Sequence, residues 1–247
     1  MLHRHRHSDS LSPDSLAIIT RDSTTWPDLD AGGLERLIDL TRQFLDYTDF
    51  ESAGGAVLDD TMRVTIALHA NRLVLANGID AYRNVHSIIV YPSAMIHRGE
   101  RRVAPGSPVC NATPTPILGE AMLHGPVVLA WDAVARDIRH PERGRNVVYH
   151  EFAHTLDMLT GATDGMPRVG GRPAELRWEA MMDTTLTSLR AAEFEDPVLG
   201  SYAETNAAEC FAVATEVFFT TPQRLATAHP DLYEGLMGFY RPQQSRR

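Results

Sequence analysis

Residues 146–161 read NVVYHEFAHTLDMLTG, and this stretch decides the fold because it carries an HExxH pattern with His150 and His154 four positions apart. On a helix, these two histidines leave the same face one turn apart, so both imidazoles can reach one metal ion. Glu151 projects about 100° further round the helix, where it can reach a water on the metal without binding the metal itself. Two ligands and a general base in this spacing are typical of zinc metallopeptidases.

The same stretch has the periodicity of an amphipathic helix. One face carries four residues at helical spacing, Val148, Phe152, Thr155 and Leu159. The two histidines share the opposite face with Asp157, which is placed to accept a hydrogen bond from the ring N–H of a histidine ligand. Gly161 stands where a helix usually ends. The alternative is a solvated polar helix face that carries the pattern by chance.

The composition indicates an ordinary globular protein. The 247 residues are 43% hydrophobic and 22% charged, enough for a buried core in one large domain or two small ones. The net charge of −9 disfavours nucleic acid as a partner, because binding to phosphates needs a basic surface. Since no run of 18 apolar residues and no apolar signal segment occur, we expect a cytoplasmic protein without a membrane partner.

Two features are predicted to stand apart from the site. Cys110 and Cys210 are isolated in the sequence and form no CxxC or CxxH pair, so we expect two free thiols in a reducing compartment and no zinc role. Residues 1–27 are polar and contain three histidines that alternate with arginines. We expect this segment to be a disordered tail, and weak metal binding is the alternative.

The first half of the chain after this tail is predicted to be mainly helical. Apolar residues recur at near-helical spacing over residues 29–50 and 59–76, with a Gly-Gly break between these ranges. Residues 28–84 are therefore expected to form a helical N-terminal part. His69 lies on the second stretch beside an apolar neighbour, and we expect it to be a packed residue rather than a ligand.

Strand signals follow this helical part. Residues 85–91, VHSIIVY, are rich in β-branched side chains and predict a strand. Residues 98–115 are rich in glycine, proline and charge and predict a loop. Residues 127–131, VVLAW, predict a second strand. We assign this strand to the sheet edge that pairs with an extended substrate, and a plain core strand is the alternative.

A second functional helix is predicted in residues 201–222, SYAETNAAECFAVATEVFFTTP. Asn206 is a good N-cap, and Glu209 stands three residues later, where a capping box has its glutamate. A catalytic zinc needs a third protein ligand besides two histidines. Glu209 is one candidate, and Glu216, two turns later on nearly the same face, is the other. The residues alone leave open whether Glu209 is a ligand or a cap.

Together these segments resemble the Mlc titration factor A family of bacterial zinc metallopeptidases, which is similar in its catalytic core to anthrax lethal factor. The matching segments are VHSIIVYP, GEAMLHGPVVLAW, GRNVVYHEFAHTLD, GATDGMP and YAETNAAECFAVATEVFF. The resemblance implies an α+β fold with a gluzincin-type core, in which a zinc helix faces a glutamate helix across a cleft beside a small mixed sheet. It also implies one domain over residues 28–247, with the catalytic core in 85–247. The sequence departs at Cys210, where the family usually has phenylalanine.

The resemblance implies the site residues as well. One Zn²⁺ per chain would be bound by His150, His154 and Glu209, with Glu151 as general base and Tyr202 as hydrogen-bond donor to the oxyanion. The implied activity is hydrolysis of peptide bonds by Glu-assisted attack of zinc-bound water, with a peptide or protein as partner. The family name records binding of a transcriptional repressor of sugar uptake. The alternative is therefore a regulatory protein that binds such a repressor, with zinc structural or regulatory.

Overall fold

Eight α-helices and a small mixed sheet form the part of the chain described by the computed structural model, residues 28–96, 101–102, 110–111, 116–117, 119–121 and 125–241. The helices are α1 (Ala31–Tyr47), α2 (Asp60–Arg72), α3 (Trp131–Arg139), α4 (Val147–Asp157), α5 (Arg172–Ala191), α6 (Ala207–Thr220), α7 (Pro222–Ala228) and α8 (Pro230–Tyr240). The strands are β1 (Asp49–Ser52), β2 (Ser87–Tyr91), β3 (Met95–Ile96), β4 (Arg101–Arg102), β5 (Cys110–Asn111), β6 (Pro116–Ile117), β7 (Gly119–Ala121) and β8 (Val127–Ala130). None of these eight helices is long and apolar enough to cross a bilayer. The predicted α+β class is confirmed.

The N-terminal part contains both predicted helices, α1 and α2, and also a strand that the sequence did not predict. This strand, β1, reads DFES and has only one partly buried residue, Phe50, so it carries no alternating apolar pattern. It forms because its backbone pairs with β2, a contact between distant parts of the chain. The predicted tail, residues 1–27, lies outside the described residues, as does most of the predicted loop at 98–115.

The main sheet has the strand order β1-β2-β8-β7, in which β7 alone is antiparallel to its neighbour. All four residues of β8 are buried, and β8 lies between β2 and β7. The prediction that residues 127–131 form the substrate-pairing edge is therefore wrong, and the core-strand alternative is confirmed. A strand covered on both faces has a continuous apolar run, which does not reveal its place in the sheet. Within the described residues, β7 is the last strand on this side.

Helix α4, which carries both histidines, is fixed at its two ends by local signals. The side chain of Asn146 accepts hydrogen bonds from the backbone N–H groups of Val148 and Tyr149, both at 3.1 Å. This is the N-cap arrangement that satisfies donors left free in the first turn. After a 3₁₀ turn, Gly161 takes the left-handed conformation with φ +91°. The predicted helix end at this glycine is confirmed.

The interior face of α4 is buried in the main core. Phe152 lies between the two histidines in sequence but on the other side of the helix, where it is 0% exposed. Its ring makes edge contacts with Tyr82 and Phe44, with centroid distances of 5.0 Å and 5.9 Å. Helix α6 packs along α4, and its own N-cap, Asn206, accepts from the N–H of Glu209 at 2.9 Å. The two helices therefore lie side by side in one core.

Phe152→Ala is expected to lower the free energy of unfolding by about 3–5 kcal/mol, because it leaves a cavity between Phe44 and Tyr82. Phe194→Ala is the matched control, since Phe194 is 79% exposed and its loss should change the free energy by about 0.5 kcal/mol or less. Both variants and the wild type would be unfolded with urea and followed by circular dichroism. Equal midpoints for the two variants would contradict this description of the core.

Candidate metal centre

Three side chains from α4 and α6 converge on one point. Nε2 of His150 lies 3.2 Å from Nε2 of His154 and 3.2 Å from Oε2 of Glu209, and the third distance, from His154 to Glu209, is 3.4 Å. A tetrahedral zinc ion with bonds of about 2.0–2.1 Å holds its ligand atoms about 3.3–3.4 Å apart. The triangle therefore has the size of one face of such a site, and the three residues could hold a metal ion.

Glu216 orients His150 rather than joining this triangle. Its Oε1 lies 2.8 Å from Nδ1 of His150, and its Oε2 accepts from the backbone N–H of Asn146 at 2.6 Å. A ring N–H donated to a carboxylate leaves the lone pair of Nε2 pointing at the metal position. The spacing of residues along α6 predicts Glu216 on this face, but only as a competing ligand.

Asp157 contacts the backbone of Gly165 and not a histidine ring, which is the partner predicted from the sequence. Its Oδ2 accepts from the backbone N–H of Gly165 at 2.8 Å. Within the described residues, neither its Oδ1 nor Nδ1 of His154 has a hydrogen-bond partner, so the expected hydrogen bond from a histidine ligand is absent. Burial raises the pKa of Asp157 to about 6. The hydrogen bond from the N–H of Gly165 lowers this pKa, and the nearby charge of Asp164 raises it further.

The charges at the centre favour a cation between the three groups. Burial alone would lower the pKa of His150, but hydrogen bonds to Glu209 and Glu216 raise it well above its ordinary value. Burial alone would raise the pKa of Glu209, but hydrogen bonds from His150 and His154 hold it well below its usual range. A positive charge is therefore stabilised at the point where the three ligand atoms meet.

Strand β7 lies against Glu151, the predicted general base. Burial raises the pKa of Glu151, and the neighbouring histidines oppose this shift. The backbone N–H of Ala121 on β7 donates a hydrogen bond to its carboxylate. A Cβ at Gly119 would lie 2.5 Å from Oε1 of Glu151, so a larger residue here would force this carboxylate to shift. The sequence of this segment, GEA, does not predict a strand.

Tyr202 lies beside His150 on a short 3₁₀ turn that precedes α6. The two rings are 5.9 Å apart between centroids, and Tyr202 is 56% exposed, so its side chain is accessible from solvent. Arg190 donates hydrogen bonds to the carbonyl oxygens of Glu204 and Thr205, at 2.9 Å and 3.1 Å, and thereby fixes the end of this turn. The structure thus brings all five predicted site residues to one region.

Two residues predicted to lie outside the site are buried in the core. Cys210 follows Glu209 directly, but its thiol is free and buried, and burial raises its pKa to about 12. His69 is buried too, with Nδ1 3.1 Å from the hydroxyl of Tyr149, and burial lowers its pKa to about 3. The side chain of Cys110 lies outside the described residues. His69 is thus the packed residue that the sequence predicts.

Two histidines on α4, a glutamate on α6 and a buried carboxylate beside them are typical of metallopeptidases. The chain belongs to the glucose-regulated metallo-peptidase M90 family, whose sequence model matches residues 1–241. This membership confirms the family resemblance and implies a metal ion and a peptide or protein substrate.

Individual relatives cover most of the chain. It is 35% identical over 201 residues to an uncharacterized protein of Synechocystis sp. strain PCC 6803, covering 80% of this chain and 72% of that protein. It is 31% identical over 218 residues to the protein named Mlc titration factor A of Serratia proteamaculans, covering 86% and 81%. The protein of the same name from Yersinia pestis is 29% identical over 212 residues, covering 84% and 77%.

Asp157→Asn is expected to change how stability depends on pH. Because the folded pKa of about 6 exceeds the ordinary 3.8, protonated Asp157 favours the fold, and this contribution is present below about pH 4 and lost as pH rises through 6. Asparagine keeps an acceptor for Gly165 and does not ionise. From about pH 4 to 8, the free energy of unfolding of the wild type should therefore fall by up to about 3 kcal/mol relative to that of the variant. Urea unfolding with a chelator present measures this, and parallel pH curves would contradict it.

Glu216→Ala is expected to weaken Zn²⁺ binding about 10–100-fold, because Nδ1 of His150 loses the acceptor that orients its ring. Glu234→Ala is the control, since Glu234 is an exposed glutamate of α8. The measurement is competition for Zn²⁺ against a chromogenic chelator. If both variants bind Zn²⁺ equally tightly, Glu216 does not orient His150.

Proposed function

We propose that this protein is a zinc-dependent peptidase of the gluzincin type, with one Zn²⁺ per chain bound by His150, His154 and Glu209. The observation that carries the proposal is the triangle of ligand atoms, whose edges of 3.2, 3.2 and 3.4 Å fit a tetrahedral site. Two imidazole nitrogens and one carboxylate oxygen are a donor set that suits zinc in catalytic sites. The charge distribution supports the same assignment, since it favours a cation at this point.

The chemistry is divided between two side chains, Glu151 and Tyr202, and the metal. When bound, zinc would lower the pKa of a coordinated water to about 7 and would polarise a carbonyl group. Glu151 takes a proton from the attacking water and passes it to the leaving amine nitrogen as the C–N bond breaks. Its raised pKa suits both steps, because it must hold the proton between them. Tyr202 donates its O–H to the carbonyl oxygen as negative charge develops there.

An extended peptide is the substrate that this geometry fits best. Peptides commonly bind as an added strand at a sheet edge, where backbone hydrogen bonds supply affinity. Among the described strands, β7 is last on its side of the sheet, and Gly119 and Ala121 place it directly against Glu151. A substrate backbone on β7 would therefore bring its carbonyl group next to the general base and the metal ligands.

A regulatory role is the second candidate, and the relatives named Mlc titration factor A favour it. By analogy with that name, this chain would bind a transcriptional repressor, and its metal would be structural or regulatory. Two observations favour the peptidase instead. Glu151 is a buried carboxylate next to the ligands, and Tyr202 is an exposed phenol beside His150. A purely structural metal site needs neither residue.

The test compares wild type with Glu151→Gln and Glu209→Ala. Elemental analysis should find one zinc per chain in wild type and in Glu151→Gln, and much less in Glu209→Ala, which lacks a ligand. Cleavage of a peptide library, read by mass spectrometry, should fall about 10²–10⁴-fold in Glu151→Gln, because the general base is lost while the metal stays.

Each alternative predicts a different result in the same experiment. Wild-type protein that binds no zinc after reconstitution would contradict the zinc site. Full zinc content in Glu209→Ala would move the third ligand elsewhere. The regulatory role would be favoured if zinc-loaded wild type cleaves no peptide. In that case wild type and Glu151→Gln should also bind one and the same transcriptional repressor.

A further inference from the structure

We infer that Gly165 is a positioning residue of the metal centre, which fixes the end of α4 to the start of α6 and thereby sets the separation of His154 and Glu209. The inference rests on the proposed function, because it concerns the ligands of the proposed zinc site. Gly165 belongs to the segment GATDGMP, residues 161–167, which follows the histidine helix. The proposed mechanism gives this segment no role.

Both backbone polar groups of Gly165 are bonded inside the protein. Its N–H donates to Oδ2 of Asp157 at 2.8 Å, and Asp157 is the fully buried last residue of α4, one turn after His154. Its carbonyl oxygen accepts from Nε1 of Trp178 on α5 at 2.8 Å. Buried backbone groups with such partners are held in place, because breaking either bond would leave a polar atom unsatisfied. Gly165 is therefore fixed relative to the ligand-bearing end of α4.

On its other side, Gly165 touches the backbone of α6. A Cβ at Gly165 would lie 2.5 Å from the carbonyl carbon of Ala207 and 3.0 Å from its Cβ. Ala207 is the first residue of α6, and Glu209 lies in the same turn. The φ of Gly165 is +74°, a conformation that also favours glycine. Any larger residue here would push on the first turn of α6.

The separation of His154 and Glu209 is close to the value that a zinc site requires. Nε2 of His154 and Oε2 of Glu209 are 3.4 Å apart, close to the edge of a zinc tetrahedron. Functional sites need their side chains within about 0.5 Å of the productive geometry. Moving the first turn of α6 away from α4 would pull Glu209 off the metal and leave the two histidines in place.

Gly165→Ala tests this inference, and Gly161→Ala is its matched control. Gly161 lies in the same loop with φ +91°, and a Cβ there meets nothing within 4 Å. Both variants place alanine in the left-handed region, but only Gly165→Ala presses on Ala207. We expect Gly165→Ala to weaken Zn²⁺ binding about 10–100-fold relative to Gly161→Ala. The affinities would be measured by chelator competition, at a temperature where circular dichroism shows every variant folded.

A double-mutant cycle separates positioning from general destabilisation. Both glycine variants are repeated in a Glu209→Ala background. If Gly165 acts through Glu209, Gly165→Ala should then change the residual Zn²⁺ affinity by no more than about twofold, because the ligand it positions is gone. A loss of Zn²⁺ affinity of the same size in both backgrounds would mean that Gly165 does not act through Glu209, and would overturn the inference.

Asp157 offers a second pair of variants in case Gly165→Ala does not fold. Asp157→Asn keeps an acceptor for the N–H of Gly165, whereas Asp157→Ala does not, so only Asp157→Ala should weaken Zn²⁺ binding, by about tenfold or more. Equal affinities for Gly165→Ala and Gly161→Ala, or for the two Asp157 variants, would overturn the inference and leave the zinc site intact. Wild-type protein without Zn²⁺ affinity would instead overturn the proposed function and, with it, this inference.

Discussion

The structure depends on enclosing His150, His154, Glu209 and Glu216 between packed helices, which is costly unless most of their polar atoms have partners. Glu216 supplies two of these partners, because its carboxylate accepts hydrogen bonds from both Nδ1 of His150 and the backbone N–H of Asn146. Glu216 therefore fixes both the ring of His150 and the start of α4. It thereby links the orientation of His150 to the packing of α6 against the start of α4.

The N-terminal part packs against this arrangement and also has a small cluster of its own, formed by Leu37, Val64 and Leu68. Phe44 and Tyr82 lie against Phe152 on the inner face of α4, and all three join the same buried cluster as the residues of α6. The strand β1 adds to the sheet that carries β8 and β7. This continuity supports our proposal that residues 28–247 form one domain. Loss of the N-terminal part would expose the back of the histidine helix.

Local signals predicted the parts of the site that depend on local contacts. Asn206 was recognisable as an N-cap, and the spacing of His150 and His154 placed them on one helix face. The sequence could not show which distant group each side chain meets. Asp157 pairs with Gly165, and Glu216 pairs with His150, although composition and periodicity leave these partners open. The prediction that residues 127–131 form a sheet edge was wrong for the same reason. The pairing of β8 with β2, which is distant in the sequence, places β8 inside the sheet and leaves β7 at the edge of the described strands.

Glu209 shows how the site overrides a local preference. At the third position of α6 it stands where a capping-box glutamate bends back to the N-cap N–H. Asn206 makes its half of that motif, but the carboxylate of Glu209 turns to His150 and His154 instead. Hydrogen bonds to two imidazoles outweigh a single bond to the N-cap N–H, and against the effect of burial they hold the pKa of Glu209 below its usual range. A conflict between local and tertiary interactions is expected where a residue serves function. The departure from the cap therefore supports Glu209, rather than Glu216, as the third ligand.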